Sequence, residues 1–262
     1  MKLVKPKVFK IGATEPSYTD IRDYFLYRGC DTSILDDMFR GPLTPLETLC
    51  VIYAKLCYKS LDLSTNPNLT KVREAVDNFI HVIESGHHSI FEHVTFNFIV
   101  TDCSRVFTHE QVRHRIGVAY SQTSGRYCNL CEEFNIVTDN DLPDILGDEL
   151  TDLLEYLHTT YVDWSEKLDL ANKSFAEKKR LTSALRRYLV PSGIANELGM
   201  SLNLRAVRHI IELRTSRHAE WEIRDIYNQI YEILNSEYPY IFADATSTWI
   251  NSYREITFKG EI

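Results

Sequence analysis

Between residues 72 and 101 the hydrophobic period of the chain changes once. Val72, Val76, Phe79, Ile80 and Ile83 recur at helical spacing, and Gly86 follows them where a helix C-cap belongs. Val94, Phe96, Phe98 and Val100 then alternate with Thr95, Asn97, Ile99 and Thr101, the period-two pattern of a strand with one buried face. A chain with that strand among helical segments has to pack helices onto a sheet rather than form a bundle or a sandwich.

The remaining pattern is mostly helical. Leu46, Leu49, Cys50, Tyr53 and Cys57 predict a helix over 46–58, with Thr44-Pro45 as N-cap and first-turn proline. Residues 61–70, with Asn66-Pro67-Asn68, predict a break, and 70–85 a second helix. Further helices are expected over 104–116, about 150–168, 174–188 (ending before Pro191), 201–214 and about 218–235. Short strands are expected at 3–10 and 133–138, a polar loop at 117–131 and a turn region at 139–147; the aromatic tail after Pro239 is expected to pack on the body. No internal repeat and no Gly/Ser linker divides the chain. The expected fold is a single α+β domain over 1–262, a small central sheet flanked by several long helices.

Composition excludes several function classes. The 262 residues carry 29 Lys+Arg against 37 Asp+Glu, a formal net charge of −8. That balance opposes nonspecific nucleic-acid binding and makes any local arginine cluster informative. No apolar run approaches the ~20 residues of a membrane span, and Met1-Lys2-Leu3-Val4-Lys5-Pro6 lacks the apolar core of a secretory signal. The expectation is a soluble, cytoplasmic protein that binds neither nucleic acid nor membrane. The six cysteines, Cys30, Cys50, Cys57, Cys103, Cys128 and Cys131, are dispersed, so free thiols are expected rather than a disulfide scaffold. Cys128–Cys131 is a lone CxxC, and the histidine spacings fit no metal motif, so no metal is expected.

Three polar sets stand out. Residues 111–127 place Arg113, His114 and Arg115 before a run of hydroxyls and amides that ends in Arg126. Guanidinium groups bind phosphate oxygens bidentately, and N–H and hydroxyl donors near Gly125 can complete an anion cradle; an anionic ligand and a solvated basic patch both fit. At 203–218, Arg205 and His209 share a helix face opposite Leu204, Val207 and Ile211, with Asn203 and Arg214 at the ends and His218 opening the next helix. Gly86-His87-His88-Ser89-Ile90-Phe91-Glu92-His93 joins helix to strand. No GxGxxG, GxxxxGK[ST] or GxSxG is present, which leaves out a Rossmann site, a P-loop and a nucleophile elbow.

At these residues the sequence resembles the flavin-dependent thymidylate synthases. Their signature is Arg-His-Arg, seven or eight residues, then Ser, usually followed by Gly-Arg-Tyr. Here Arg113-His114-Arg115 precedes eight residues and Ser124-Gly125-Arg126-Tyr127. The upstream Gly-His-x-[Ser/Thr]-x-Phe-Glu-His element matches 86–93, and the downstream elements match Asn203–Arg205, Leu213-Arg214 and His218–Ile223. The resemblance implies the thymidylate synthase-complementing fold, assembled as a homotetramer with active sites at subunit interfaces. It implies reductive methylation of dUMP to dTMP, with methylenetetrahydrofolate as carbon donor, FAD as hydride carrier and NADPH as its reductant. By matching positions it implies dUMP contacts from Gln111, Val112, Arg113, Gln122, Thr123, Ser124, Gly125, Arg126, Arg187 and Arg214. Arg214 is placed against the uracil as the catalytic cation. The implied FAD set is His87, Ser89, Glu92, Arg113, His114, Arg115, Gln122, Asn203, Arg205, His209 and His218. A nucleotide- or flavin-binding protein without catalysis, and a nucleic-acid module, are the competing readings.

Overall fold

Pro6 has no backbone N–H to give to a sheet, and it divides the extended run expected at 3–10 into two strands. The computed structural model describes residues 1–128, 130–139, 141–250 and 252–259. Strand β1 (Lys2–Val4) and strand β2 (Lys7–Ala13) enter different sheets. The freed polar groups at the break are taken by Gln229, which donates to the Pro6 carbonyl and accepts from the Val8 N–H, both at 3.0 Å. Helices α1 (Tyr18–Tyr27) and α2 (Thr32–Arg40) follow. Next comes α3 (Pro45–Cys57), closed by a capping box in which Thr44 and Glu47 satisfy each other's N–H groups. Cys57, expected on its inner face, is exposed, because the last turn runs beyond the neighbouring core.

Helix α4 (Ala75–Glu84) starts later than the expected 70–85 and ends at Gly86, which has φ +70°. Strand β3 (Thr95–Cys103) then runs as its alternation predicts. Helix α5 (Arg105–Gln111) is shorter than the expected 104–116. Within the expected loop 117–131 lies a strand, β4 (Val118–Gln122); its mixed polar sequence conceals it, and pairing supplies what propensity does not. Strand β5 (Asn135–Val137) precedes α6 (Leu142–Leu146), a short helix inside the expected turn region. Asn129 and Asn140, within those two expected segments, lie outside the described residues.

Two long helices follow, α7 (Asp148–Lys167) and α8 (Phe175–Leu189). Strand β6 (Asn196–Asn203) occupies the start of the expected helix 201–214, so α9 spans Leu204–Thr215. Helix α10 (Trp221–Glu237) begins after His218, which therefore lies in the connection. The tail forms a turn and a hairpin, β7 (Ala245–Ile250) with β8 (Tyr253–Phe258).

The main sheet has the order β2-β3-β6-β4 with every pair antiparallel. Its inner face carries Val8, Phe96, Phe98, Val100, Leu198, Met200 and Leu202, all buried. These pack in one core with Val207, Ile210 and Ile211 of α9 and Ile223, Ile226 and Ile230 of α10. Each such side chain contributes roughly 1.5–3 kcal/mol; Phe98→Ala would cost about 3–5 kcal/mol through the cavity it leaves. A second core joins β5, α7 and α8 through Phe134, Ile136, Leu154, Tyr161, Leu185 and Leu189. The parallel pairing of β1 with β5 ties it to the N-terminus. Beneath α9, Arg208 is fully buried and bonds both oxygens of Asp244, at 2.9 and 2.8 Å. That pair fastens the C-terminal hairpin to the helix that carries the second polar set.

Candidate active site

Buried Gln111, at the end of α5, fixes the turn that presents Arg113-His114-Arg115. Its amide N–H donates to the Tyr120 hydroxyl at 3.0 Å, and its carbonyl accepts from Tyr227 at 2.9 Å. Tyr120 in turn lies within 2.9 Å of the Gln111 carbonyl and 2.8 Å of the His114 carbonyl. Strand β4 thus pins the turn through one phenol, whose pKa burial raises. The other end of α5 is held from α10. The Ser104 N–H donates to Glu222 at 2.6 Å, and its hydroxyl bonds the second carboxylate oxygen. Burial pushes the Glu222 carboxyl up to about 7, although the Ser104 bonds pull it down.

Two side chains from this helix, Glu110 and His109, and His114 from the turn after it reach two places. Glu110 meets Arg214, in the last turn of α9, with Nη1 to Oε2 at 2.9 Å. His114 accepts from Arg214 Nε at 2.9 Å. Burial, then the charge of Arg214 and of His209, lowers the His114 pKa to about 4. The ring is therefore neutral at pH 7, with its Nε2 lone pair on Arg214 and its proton on Nδ1.

His109 lines a cleft of about 560 Å³ together with Gln122, Thr123, Ser124, Gly125, Arg126 and Arg187. Its wall also includes Arg105, Ser183, Arg186 and Ser192, and no carboxylate among the described lining residues. Gln122 is oriented by Thr108, to which its amide donates at 3.1 Å. The Arg126 N–H turns back to the Ser124 hydroxyl at 3.4 Å. Hydroxyls and arginines without a carboxylate among the described lining residues, in a protein of net charge −8, have the chemistry to take an anion.

His114 also lines a smaller cleft of about 310 Å³, with Arg113, Arg115, Ile116, His209 and Ile210. Arg113 and Arg115 supply cations, while Ile116, 91% exposed, gives an apolar edge. Asn203 lies behind it: its side chain caps α9 by accepting from the Ala206 N–H at 2.8 Å. Gly117, at φ +71°, passes so close that a Cβ would fall 2.5 Å from the Asn203 amide.

The structure thus gathers Gln122, Thr123, Ser124, Gly125, Arg126 and Arg187 in one cleft, and Arg113, His114, Arg115 and His209 in another. Arg214 lines neither cleft; it meets Glu110 of α5 and His114, which lines the smaller one. Gln111 is buried behind the turn, and Val112, 41% exposed, lines neither cleft. Arg205 and Glu92 form an exposed ion pair at 2.5 Å. His87 stands against Tyr58, Nδ1 to hydroxyl 2.8 Å. Ser89 and His218 are exposed, the latter's N–H on the Ser216 hydroxyl at 3.4 Å. Sequence reading missed Glu110, Arg105, Arg186 and Glu222. Only Arg105 had a signal, sharing a helix face with His109 four residues on. Cys128 is exposed and Cys131 half-buried, and neither lines these two clefts.

Residues 43–240 match a family described as thymidylate synthase complementing protein. A protein of Pyrococcus abyssi named flavin-dependent thymidylate synthase is 32% identical over 159 residues, 60% of this chain and 61% of the relative. One of the same name from Pyrococcus furiosus is 33% identical over 149 residues, 55% of this chain and 56% of the relative. A Mycobacterium tuberculosis protein, again of that name, is 31% identical over 212 residues, 77% of this chain and 80% of the relative. The chain therefore spans about three fifths of the length of the Pyrococcus relatives, 61% and 56%, and more of the mycobacterial one.

Proposed function

The chain belongs to the thymidylate synthase complementing protein family, and on that premise we propose that it is a flavin-dependent thymidylate synthase. It converts dUMP to dTMP, with methylenetetrahydrofolate as carbon donor and NADPH as reductant of FAD. The observation that carries this reading is the arginine cleft with no carboxylate among its described lining residues, together with Arg214 clamped by Glu110 and by His114 of the second cationic cleft.

In this reading the larger cleft takes the nucleotide. Arg126, Arg187 and Arg105 neutralise its phosphate, and the Ser124 hydroxyl and Gln122 amide orient it; Gln111 and Val112 shape the turn beside Arg113. Arg214 faces the uracil. Its Nη1 and Nε are committed to Glu110 and His114, which fixes the guanidinium plane and leaves Nη2 for a substrate oxygen. A fixed cation there stabilises negative charge on the pyrimidine and makes C5 more nucleophilic. The neutral imidazole suits this task, because a protonated His114 would lose the lone pair that holds Arg214. No cysteine lines either cleft among the described residues, so the scheme uses no enzyme thiol.

The smaller cleft, about 310 Å³, takes part of FAD in this reading: Arg113 and Arg115 match a diphosphate, and Ile116 and Ile210 give apolar contact. Arg205, His209, Asn203, Glu92, Ser89, His87 and His218 complete the proposed cofactor set. The flavin supplies the hydride when bound. The protein acts as a cytoplasmic homotetramer with sites at subunit interfaces. Support comes from the outer face of the main sheet, where Phe9 and Ile11 are 43% and 61% exposed.

The test is a visible spectrum of the freshly purified protein, then dTMP formation from dUMP, methylenetetrahydrofolate and NADPH. Flavin bands that bleach with NADPH, followed by dTMP, are expected. A folded, flavin-loaded sample that makes no dTMP overturns the reading.

A further inference from the structure

Arg126 also lines a further cavity, of about 540 Å³, between its own loop, the end of α7 and the first turns of α8. That volume lies in the range of small-molecule pockets, and neither the nucleotide nor the cofactor assignment uses this cavity. Its lining joins a ring wall to a set of cations. The rings of Tyr127 and Phe175 stand with centroids 5.8 Å apart and planes 29° apart, and the two residues are 56% and 71% exposed. Lys179 fixes Tyr127: its ammonium donates to the phenol oxygen at 2.6 Å and lies 4.7 Å from the ring centroid. Rings held in place against water form a stacking surface, because a flat ligand laid on them removes apolar area from water.

The charges favour an anion. Arg126, Lys178 and Lys179 line the cavity with two carboxylates, Glu166 and Asp169. Both carboxylates are exposed, where water and salt screen them, whereas Lys178 and Lys179 are half-buried and act in a lower dielectric. Arg126 lines the larger cleft as well, so one guanidinium serves both walls.

We propose that this cavity is a separate ligand site, for a flat aromatic molecule with one anionic group, and that its occupant opposes nucleotide binding through Arg126. The ring lies on Tyr127 and Phe175, and the anion meets Lys178 and Arg126. A guanidinium drawn to this anion is withdrawn from the nucleotide phosphate, so the coupling rests on the reading of the larger cleft as a nucleotide site. By linkage, the nucleotide weakens this ligand by the same factor.

The experiment is calorimetric titration of the flavin-loaded protein with 2-naphthalenesulfonate and with uncharged 2-naphthol, with and without saturating dUMP. It compares the parent with Phe175→Ala and Lys178→Gln; both side chains reach the surface, so neither change opens the core. The parent is expected to bind the sulfonate roughly 5-fold more tightly than the naphthol, the worth of one partly screened ion pair. Phe175→Ala is expected to weaken both ligands about 10-fold. Lys178→Gln is expected to remove most of the preference for the sulfonate. Saturating dUMP is expected to weaken the sulfonate about 5-fold or more in the parent, and both variants are expected to bind dUMP as the parent does. No sulfonate binding by the parent, or binding that neither substitution changes, overturns the site. Sulfonate affinity indifferent to bound dUMP overturns the coupling, and a loss of dUMP affinity in either variant overturns the separation of the two cavities. A parent that binds the sulfonate through Phe175 and Lys178 but does not bind dUMP overturns the nucleotide reading and leaves the site standing.

Discussion

Glu110 and Arg214 stand 104 positions apart in the sequence and meet at 2.9 Å, one at the end of α5 and the other at the end of α9. Glu110→Gln keeps the shape and removes the charge that holds the guanidinium. It is expected to lower kcat roughly 10- to 100-fold with little change in KM for dUMP, as for an interaction felt mainly in the transition state. Flavin content is expected to stay at the parental level, read from the visible spectrum. Parental kcat in this variant would show that Arg214 needs no anchor.

Arg214→Ala and Arg205→Ala divide the two clefts. The first is expected to abolish turnover while flavin stays bound. The second releases flavin, and added FAD restores turnover. Flavin titration and dTMP formation measured on both variants check the division; full flavin and full activity in both would refute the site assignment.

The pH dependence of stability combines two opposing groups. His114 has its pKa lowered from 6.5 to about 4 by burial. The unfolded chain then binds more protons between those values, and this group makes stability rise with pH. Glu222 is raised from 4.5 to about 7, again by burial, so its contribution falls as pH rises across that window. In the parent the two slopes oppose each other between about pH 4.5 and 6.5. Denaturant unfolding of His114→Gln is expected to expose a stability that declines with rising pH, and Glu222→Gln the reverse. Identical pH slopes in the two variants would contradict both assignments.

Asp244→Asn removes the charge that partners fully buried Arg208. Breaking a buried pair from one side costs about 3–5 kcal/mol, and a loss of that order in denaturant unfolding is expected. Activity per folded molecule is expected to persist, since Arg208 faces the hairpin. An unchanged midpoint would show that the carbonyl of Ile241, 2.6 Å from Nη1, suffices.

Gly117→Ala places a Cβ 2.5 Å from the Asn203 amide at φ +71°. The backbone strain and the lost helix cap together are expected to cost about 2–3 kcal/mol. Flavin affinity is expected to fall with it, because the displaced turn carries Arg113 and Arg115. A Gly117→Ala protein with the parental unfolding midpoint and flavin affinity would remove this role for the glycine.

Local patterns were legible where one segment carried its own signal. Thr44-Pro45 opened α3, and the phenylalanine alternation marked β3. In β6 the alternation Leu198, Met200, Leu202 was also present, but Gly199 and the adjoining helical pattern of 204–211 concealed it. β4 owes its extension to pairing with β6, which no window of five residues encodes. The arginines of the site could be read as types: Arg113 and Arg126 stood in the motif, and Arg187 came only by position matching in the resemblance. Glu110 as the anchor of Arg214 depends on two helices meeting, and the approach of Arg186 to Gly125 depends on which side of α8 faces that loop. Both arise only when distant segments pack.

Helix α9 holds its polar residues on one rigid rod. Asn203 caps its start, Arg205 and His209 follow, Arg208 is locked inside, and Arg214 closes the last turn. At about 1.5 Å per residue, Arg205 and Arg214 are spaced roughly 14 Å along the axis. The groups proposed to face the cofactor and the uracil therefore cannot drift independently. Evolution can vary the side chains along this ruler, but inserting or deleting one residue between positions 205 and 214 would rotate one end by about 100° against the other. Such length changes should be absent from working enzymes, whatever their identity elsewhere.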